Sequence, residues 1–182
     1  MSGHYRELLL GGGARRSKHL HKPECPDWHD LTVLDMNSAL QPDVVWDLTE
    51  LPLPFEDNHF DEVHAYEVLE HTGQQGDYRF FFAQFADFWR LLKPQGLLLG
   101  TSPALESRWL WGDPGHTRAV TPESFMFLDQ QSYVDNVGKS PMSDYRNIYR
   151  ADFKLVFSQT SGGTFRYILQ AVKPSRIDTD RA

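Results

Sequence analysis

Short apolar runs alternate along this chain with polar, glycine-rich stretches, and one long segment repeats its apolar positions every three or four residues. The runs Arg6 to Leu10, Leu31 to Met36, Asp43 to Trp46, Phe60 to Tyr66 and Leu97 to Ser102 have the length and bounding turn residues of buried strands. Asp77 to Leu92 sets Tyr78, Phe81, Phe82, Phe85, Phe88, Trp89 and Leu92 on one face and stops at Lys93-Pro94. That pattern predicts an amphipathic helix whose aromatic stripe is core. Residues 14–29 are expected to hold a short helix and then a proline-containing loop. Residues 103–120 read as a long irregular loop, after which Thr121-Pro122-Glu123 opens a helix with Thr as cap and Pro in the first position. Phe153 to Phe157 and Thr164 to Val172, joined by S-Q-T-S-G-G, read as a hairpin. The alternation predicts an α/β fold, a doubly wound and mostly parallel sheet with an antiparallel C-terminal hairpin. One domain is expected over residues 1–174, followed by a polar tail over 175–182.

Composition narrows the class. A formal net charge of −7 argues against a sequence-independent grip on nucleic acid, although Arg15, Arg16 and Lys18 lie close together. The single cysteine, Cys25 in P-E-C-P, cannot form a disulfide within the chain and reads as an inert loop residue of a cytoplasmic protein. No apolar stretch reaches the length of a membrane-spanning helix, and the opening M-S-G-H-Y-R-E has no signal-peptide core. No membrane partner is expected.

In open parallel sheets, ligands bind beyond the carboxyl ends of the strands. Gly11-Gly12-Gly13 follows the first strand, where missing side chains allow close approach of the backbone to a ligand. Asp35 ends the second strand 22 residues after Gly13, a placement that suits a carboxylate accepting from ribose hydroxyls. Asp47 ends the third. Together these predict nucleotide-type binding. The stretch E-V-L-E-H, Glu67 to His71, follows the fourth strand. If the chain turns helical after Tyr66, Glu67, Glu70 and His71 share one face, and two carboxylates that close need a proton, an Arg or a metal. The later loop E-S-R-W-L-W-G-D-P-G-H-T-R offers Trp109, Trp111, Arg108, His116 and Arg118. Its two tryptophans either sandwich a planar or anionic acceptor or anchor the loop to the body.

These motifs carry a family resemblance. L-L-L-G-G-G resembles the first motif of class I S-adenosylmethionine-dependent methyltransferases of the small, type-11-like kind. D-L-T-E-L-P-L-P-F-E-D-N-H-F-D-E-V-H-A-Y-E-V-L-E-H resembles their third and fourth motifs, and R-L-L-K-P-Q-G-L-L-L the turn before their fifth strand. The resemblance spans about residues 6–102 and implies a seven-stranded Rossmann-like sheet whose last strand is antiparallel. It also implies S-adenosylmethionine as cofactor, with Gly11 and Gly13 under the methionine part and Asp35 on the ribose. Asp47 and Leu48 would flank the adenine, and Tyr66 would lie beside the transferable methyl. The pattern E-x-x-E-H with a later His is similar to ubiquinone-pathway O-methyltransferases and small-RNA 2′-O-methyltransferases. That likeness implies a divalent metal (Mg, Mn, Fe or Zn) on Glu67, Glu70, His71 and His116. Without a metal, Glu and His of such a segment bond to loop backbone, and His71 or His116 serves as general base. His71, His116 and Glu67 are thus the candidate catalytic residues.

Two departures stand out: Arg15 replaces the family's third glycine, and Leu9 its usual acid. Strand one also starts almost at the first residue, leaving none for a covering helix, so a second subunit in a homodimer is expected to shield the site. No Asn/Asp-Pro-Pro-aromatic or Pro-Cys follows the fourth strand, which excludes amino-group and cytosine-C5 DNA methylation. The expected function is O-methylation of a small or medium acceptor. The alternative is a degenerate cofactor-binding scaffold or interaction protein with little turnover.

Overall fold

The computed structural model describes residues 4–179. The apolar runs form one seven-stranded sheet in the order β3-β2-β1-β4-β5-β7-β6. Strands β1 (Arg6–Leu10), β2 (Asp30–Asp35), β3 (Val44–Val45), β4 (Phe60–Tyr66) and β5 (Leu92–Pro103) run parallel. β6 (Phe153–Ser161) and β7 (Thr164–Ala171) form the hairpin, with β7 antiparallel to β5. The long helix α1 (Tyr78–Leu91) crosses from β4 to β5, and the short α2 (Pro122–Phe125) and α3 (Gln130–Asn136) lie between β5 and β6. This is the α/β, mostly parallel Rossmann-like sheet with an antiparallel C-terminal hairpin that the periodicity implies. Among the described residues, no helix is long and apolar enough to cross a membrane.

Asp77 caps α1 by accepting from Phe80 N at 3.0 Å. The helix buries Phe82, Phe85, Phe88 and Leu91 against Leu8, Leu10, Val63, Ala65 and Leu98. Leu92 is already extended and pairs with Phe60, so β5 begins five residues before the expected Leu97. Arg90 reaches from the end of α1 to Leu53 O and Phe55 O, pinning the L-P-L-P-F turn beneath the strand ends.

The other sheet face differs from expectation. Residues 14–29 form no helix but an irregular strap, because Lys18 is drawn into the sheet and Pro23 and Pro26 interrupt the backbone. Period-two alternation points Glu7, Glu62, His64 and Tyr66 toward this strap. Glu7, Glu62 and His64 are fully buried. Lys18 Nζ sits 2.5 Å from Glu7 Oε1 and 3.3 Å from Glu62 Oε2, so it is buried rather than part of an exposed basic patch. Tyr5 OH donates to Glu62 and the His29 amide to Glu7. Tyr66 OH bonds both Leu20 O and Leu20 N and lies 2.7 Å from His64 Nδ1. His64 Nε2 faces Glu62 at 3.1 Å. His64 thus bridges Tyr66 and Glu62, and Lys18 and Lys22 are the lysines beside the two carboxylates. Burial acts to raise the Glu7 carboxyl, but hydrogen bonds from His64, Lys18 and the His29 amide hold it at about 2.

At the C-terminus, Ser175 is buried and Arg176, at the start of α4 (Arg176–Thr179), pairs with Asp129 and Asp152. The segment after Pro174 therefore begins by packing on the body, and the remaining tail residues 180–182, like residues 1–3, lie outside the described residues.

Removing one partner of a buried ion network strands the others, so Lys18→Met is expected to cost about 3–5 kcal/mol in urea unfolding. The Glu7 contribution is fully present above its ordinary value near 4.5 and is lost as pH falls toward 2. A urea series at pH 6, 4 and 3 should show that loss in the wild type and a smaller one in Glu7→Gln.

Candidate active site

The order of strands reverses between β1 and β4, and the candidate residues gather at their carboxyl ends. Gly11 has φ +59, and a Cβ there would collide with the Val68 side chain. Gly13, φ +54, donates its N–H to Asp35 Oδ2 at 3.0 Å, and Asn37 N donates to Asp35 Oδ1 at 2.8 Å. The 22-residue spacing seen in the sequence is thus a direct hydrogen bond closing the two strand ends together. Asp47 Oδ1 accepts from Thr49 N and Thr49 Oγ1, both at 2.8 Å. A cavity of about 460 Å³ opens over these ends, walled by Gly11, Asp35, Asp47, Leu48, Glu67 and His71 among others. Tyr66 is not on its wall: its ring stacks on His19 and its hydroxyl is engaged by the strap.

The chain does not turn helical after Tyr66. Glu67 has φ +49, and only Leu69–His71 form a single 3₁₀ turn. The carbonyls that would accept the next helical N–H groups are taken by the later loop. Thr117 N and Arg118 N donate to Glu70 O, and Arg118 Nε donates to Leu69 O at 2.8 Å. Arg118 Nη2 also bonds Thr72 Oγ1 and Gln84 Oε1. Glu67 is consequently exposed on the cavity wall, away from the pair it was expected to join.

Glu70 points inward and is fully buried. Its Oε2 accepts from Ser102 Oγ at 3.0 Å, while Oε1 has no partner. Burial, reinforced by the Glu67 charge, pushes this carboxyl up to about 7. His71 and His116 meet edge to face, ring centroids 4.5 Å apart. His71 Nδ1 lies 3.1 Å from Gly115 O and His116 Nδ1 3.0 Å from Leu110 O. A carbonyl can only accept, so both Nδ1 atoms carry a proton, and Nε2 is the nitrogen of each ring that can accept. Asp113 Oδ2, 3.9 Å from His116 Nε2, is too far to take part. Glu70, His71 and His116 each offer one ligand atom within 4.8 Å of the others. Three of the four metal candidates therefore converge, and the fourth, Glu67, does not. The backbone carbonyls orienting each ring are the outer partners that metal-binding imidazoles use.

Trp109 and Trp111 are 58 % and 61 % exposed, so they do not anchor the loop. The Arg108 guanidinium lies 5.2 Å from the Trp109 ring centroid. Sequence reasoning missed Ser102 and the bracing role of Arg118. Neither has a local signature, whereas Glu7, Glu62 and His64 were detectable as polar residues at period two in otherwise apolar strands.

Residues 28–100 match the family described as "Methyltransferase domain". Among solved structures, the chain is similar to a SAM-dependent methyltransferase from Archaeoglobus fulgidus, with 18% identity over 92% of this chain and 86% of that one, TM-score 0.59. It is similar to 1,6-didemethyltoxoflavin-N1-methyltransferase from Burkholderia thailandensis, solved with 1,6-didemethyltoxoflavin and S-adenosylhomocysteine. There the identity is 15% over 92% and 71% of the two chains, TM-score 0.54. A third likeness is to the structure of the Haloferax volcanii Trm112 methyltransferase activator in complex with a methyltransferase, 15% over 93% and 83%, TM-score 0.52. No curated protein matches the sequence. The strand order and these likenesses give the chain the Rossmann-like fold of the methyltransferases named, and its residues 28–100 are similar to the methyltransferase-domain family.

Because the Glu70 carboxyl titrates higher folded than unfolded, the metal-stripped protein should lose stability as pH rises from about 4.5 to 7. Glu70→Gln removes that penalty. It should stabilise the metal-stripped protein by about 1–3 kcal/mol at pH 8 and by almost nothing at pH 4.5, as read from paired denaturant titrations.

Proposed function

We propose that the chain transfers a methyl group from S-adenosylmethionine to a hydroxyl of a small or medium acceptor, beside Glu70, His71 and His116. The observation that carries this reading is the convergence of Glu70, His71 and His116, which offer three ligand atoms within 4.8 Å of one another, with His71 on the wall of the strand-end cavity. Glu70 Oε1 has no partner, and each imidazole has its Nδ1 on a carbonyl.

The cavity of about 460 Å³ suits a nucleoside-sized cofactor, and a left-handed glycine turn and two carboxylates line up along it. S-adenosylmethionine supplies a methyl already activated on a sulfonium. In this reading the turn at Gly11 and Gly13 lets the methionine part approach. Asp35, held rigid by two amides, accepts from the ribose through its remaining lone pairs, and Leu48 packs beside the adenine with Asp47 at its edge. Glu67 borders the acceptor side. His116 Nε2 or His71 Nε2 takes the acceptor's proton, because each ring has its Nδ1 held on a backbone carbonyl.

The same three atoms fit a divalent cation. Two imidazoles and one carboxylate suit Fe, Mn or Zn better than Mg, and a cation there would lower the pKa of an acceptor hydroxyl. The lone cysteine is consistent with a cytoplasmic setting, and exposed Val156 and Phe157 on the edge strand β6 support self-association as a homodimer.

Calorimetric titration of S-adenosylhomocysteine into metal-stripped protein tests the cofactor half of the reading. Micromolar binding that weakens roughly tenfold or more in Asp35→Ala is expected. Folded protein that binds none would favour the interaction-scaffold alternative. The chemistry is tested by a hydroxyl-acceptor screen with Fe, Mn, Zn and Mg. His116→Ala should lower turnover by about 10²-fold or more while leaving S-adenosylhomocysteine affinity unchanged.

A further inference from the structure

The aromatic stripe of α1 is not core throughout. At its N-terminal end Tyr78, Phe81 and Phe82, with Phe127 and Tyr145, wall a second cavity of about 220 Å³. It lies on the far side of the 72–75 segment from the strand-end cavity, and none of the candidate cofactor or metal residues lines it. Its one cationic wall residue is Arg118, only 5 % exposed.

All acceptors bonded to that guanidinium are neutral. Nε is on Leu69 O, and Nη2 is on Thr72 Oγ1 and Gln84 Oε1. Nη1 has no hydrogen-bond partner among the described residues. Two acids lie near it without bonding it: Asp77, itself on the cavity wall, caps α1 with Oδ1 on Phe80 N, and Glu70 Oε2 takes the Ser102 hydroxyl. The Phe80 and Phe81 rings lie about 6 Å away and give the cation only their faces. A buried cation without an anionic partner is costly, and a free N–H arm on a small aromatic-walled cavity selects for an anion with an apolar body.

We propose that this cavity binds a small aryl carboxylate, its ring among Tyr78, Phe82 and Tyr145 and its carboxylate accepting from Arg118 Nη1. The same guanidinium holds Leu69 and Thr72, so the occupant communicates through one side chain with the turn that carries Glu70 and His71. The assignment stands independently of whether that cluster methylates a hydroxyl.

The probe is 4-fluorophenylacetate, followed by ¹⁹F NMR on the full chain, against its neutral methyl ester and against Ala119→Phe. Ala119 lines the cavity, and the larger side chain fills it without touching the Arg118 bonds. The expected result is saturable binding of the acid, with the ester roughly tenfold weaker or more. Ala119→Phe should abolish binding while its melting temperature and S-adenosylhomocysteine affinity match the wild type. The acid–ester comparison uses wild-type protein alone, so it decides the matter even if Ala119→Phe misfolds. Equal binding of acid and ester, no binding of the acid, undiminished binding by Ala119→Phe, or displacement of the acid by S-adenosylhomocysteine would each overturn the proposal.

Discussion

One buried guanidinium sets the geometry on which the candidate site depends. Arg118 takes Leu69 O and Thr72 Oγ1, and the Arg118 and Thr117 amides take Glu70 O. These bonds satisfy carbonyls that would otherwise accept helical N–H groups, so the segment after β4 closes as one 3₁₀ turn. The consequences follow in order. Glu70 is turned into the interior toward Ser102, His71 is turned outward toward Gly115, and the loop carrying His116 is fastened alongside. An Arg engaged through neutral oxygens, rather than a salt bridge, leaves the only nearby inward carboxylate, Glu70, without a cation.

That uncompensated carboxylate contrasts with the network on the opposite face. There Glu7 and Glu62 are matched by Lys18 and bonded by His64. The same residue types therefore serve two purposes within one sheet. Beneath the strap the buried carboxylate oxygens all have partners, and the network holds residues 14–29 in place of a helix. At the strand ends Glu70 Oε1 is left without a donor, an imbalance that a bound ligand or a proton would relieve. Glu67, a non-glycine residue at φ +49, adds a strained backbone position at the same end.

How far the chain could be read in advance varied with the range of the interaction. The strands, the aromatic helix and the terminal hairpin all rest on local periodicity and turn chemistry, and they appeared close to where the pattern put them. Gly13 and Asp35 come together because the spacing of a strand–turn–strand unit constrains both ends. The helix expected within residues 14–29 failed because a long-range ion pair outweighed a weak local preference. Glu67, Glu70 and His71 were spaced for one helical face, yet acceptors taken 47 residues downstream prevented the helix.

The sequence by itself determined the sheet, its parallel winding and the residues that meet at the carboxyl ends of β1, β2 and β4, since alternation and turn residues act over a few positions. Tertiary structure decided which of those residues share a centre. It separated Glu67 from Glu70, turned Tyr66 away from the cavity and buried Lys18. It also left one arm of Arg118 on an aromatic cavity. Each of these outcomes turns on which buried donor finds which acceptor, and that pairing exists only once distant segments are packed and water is excluded.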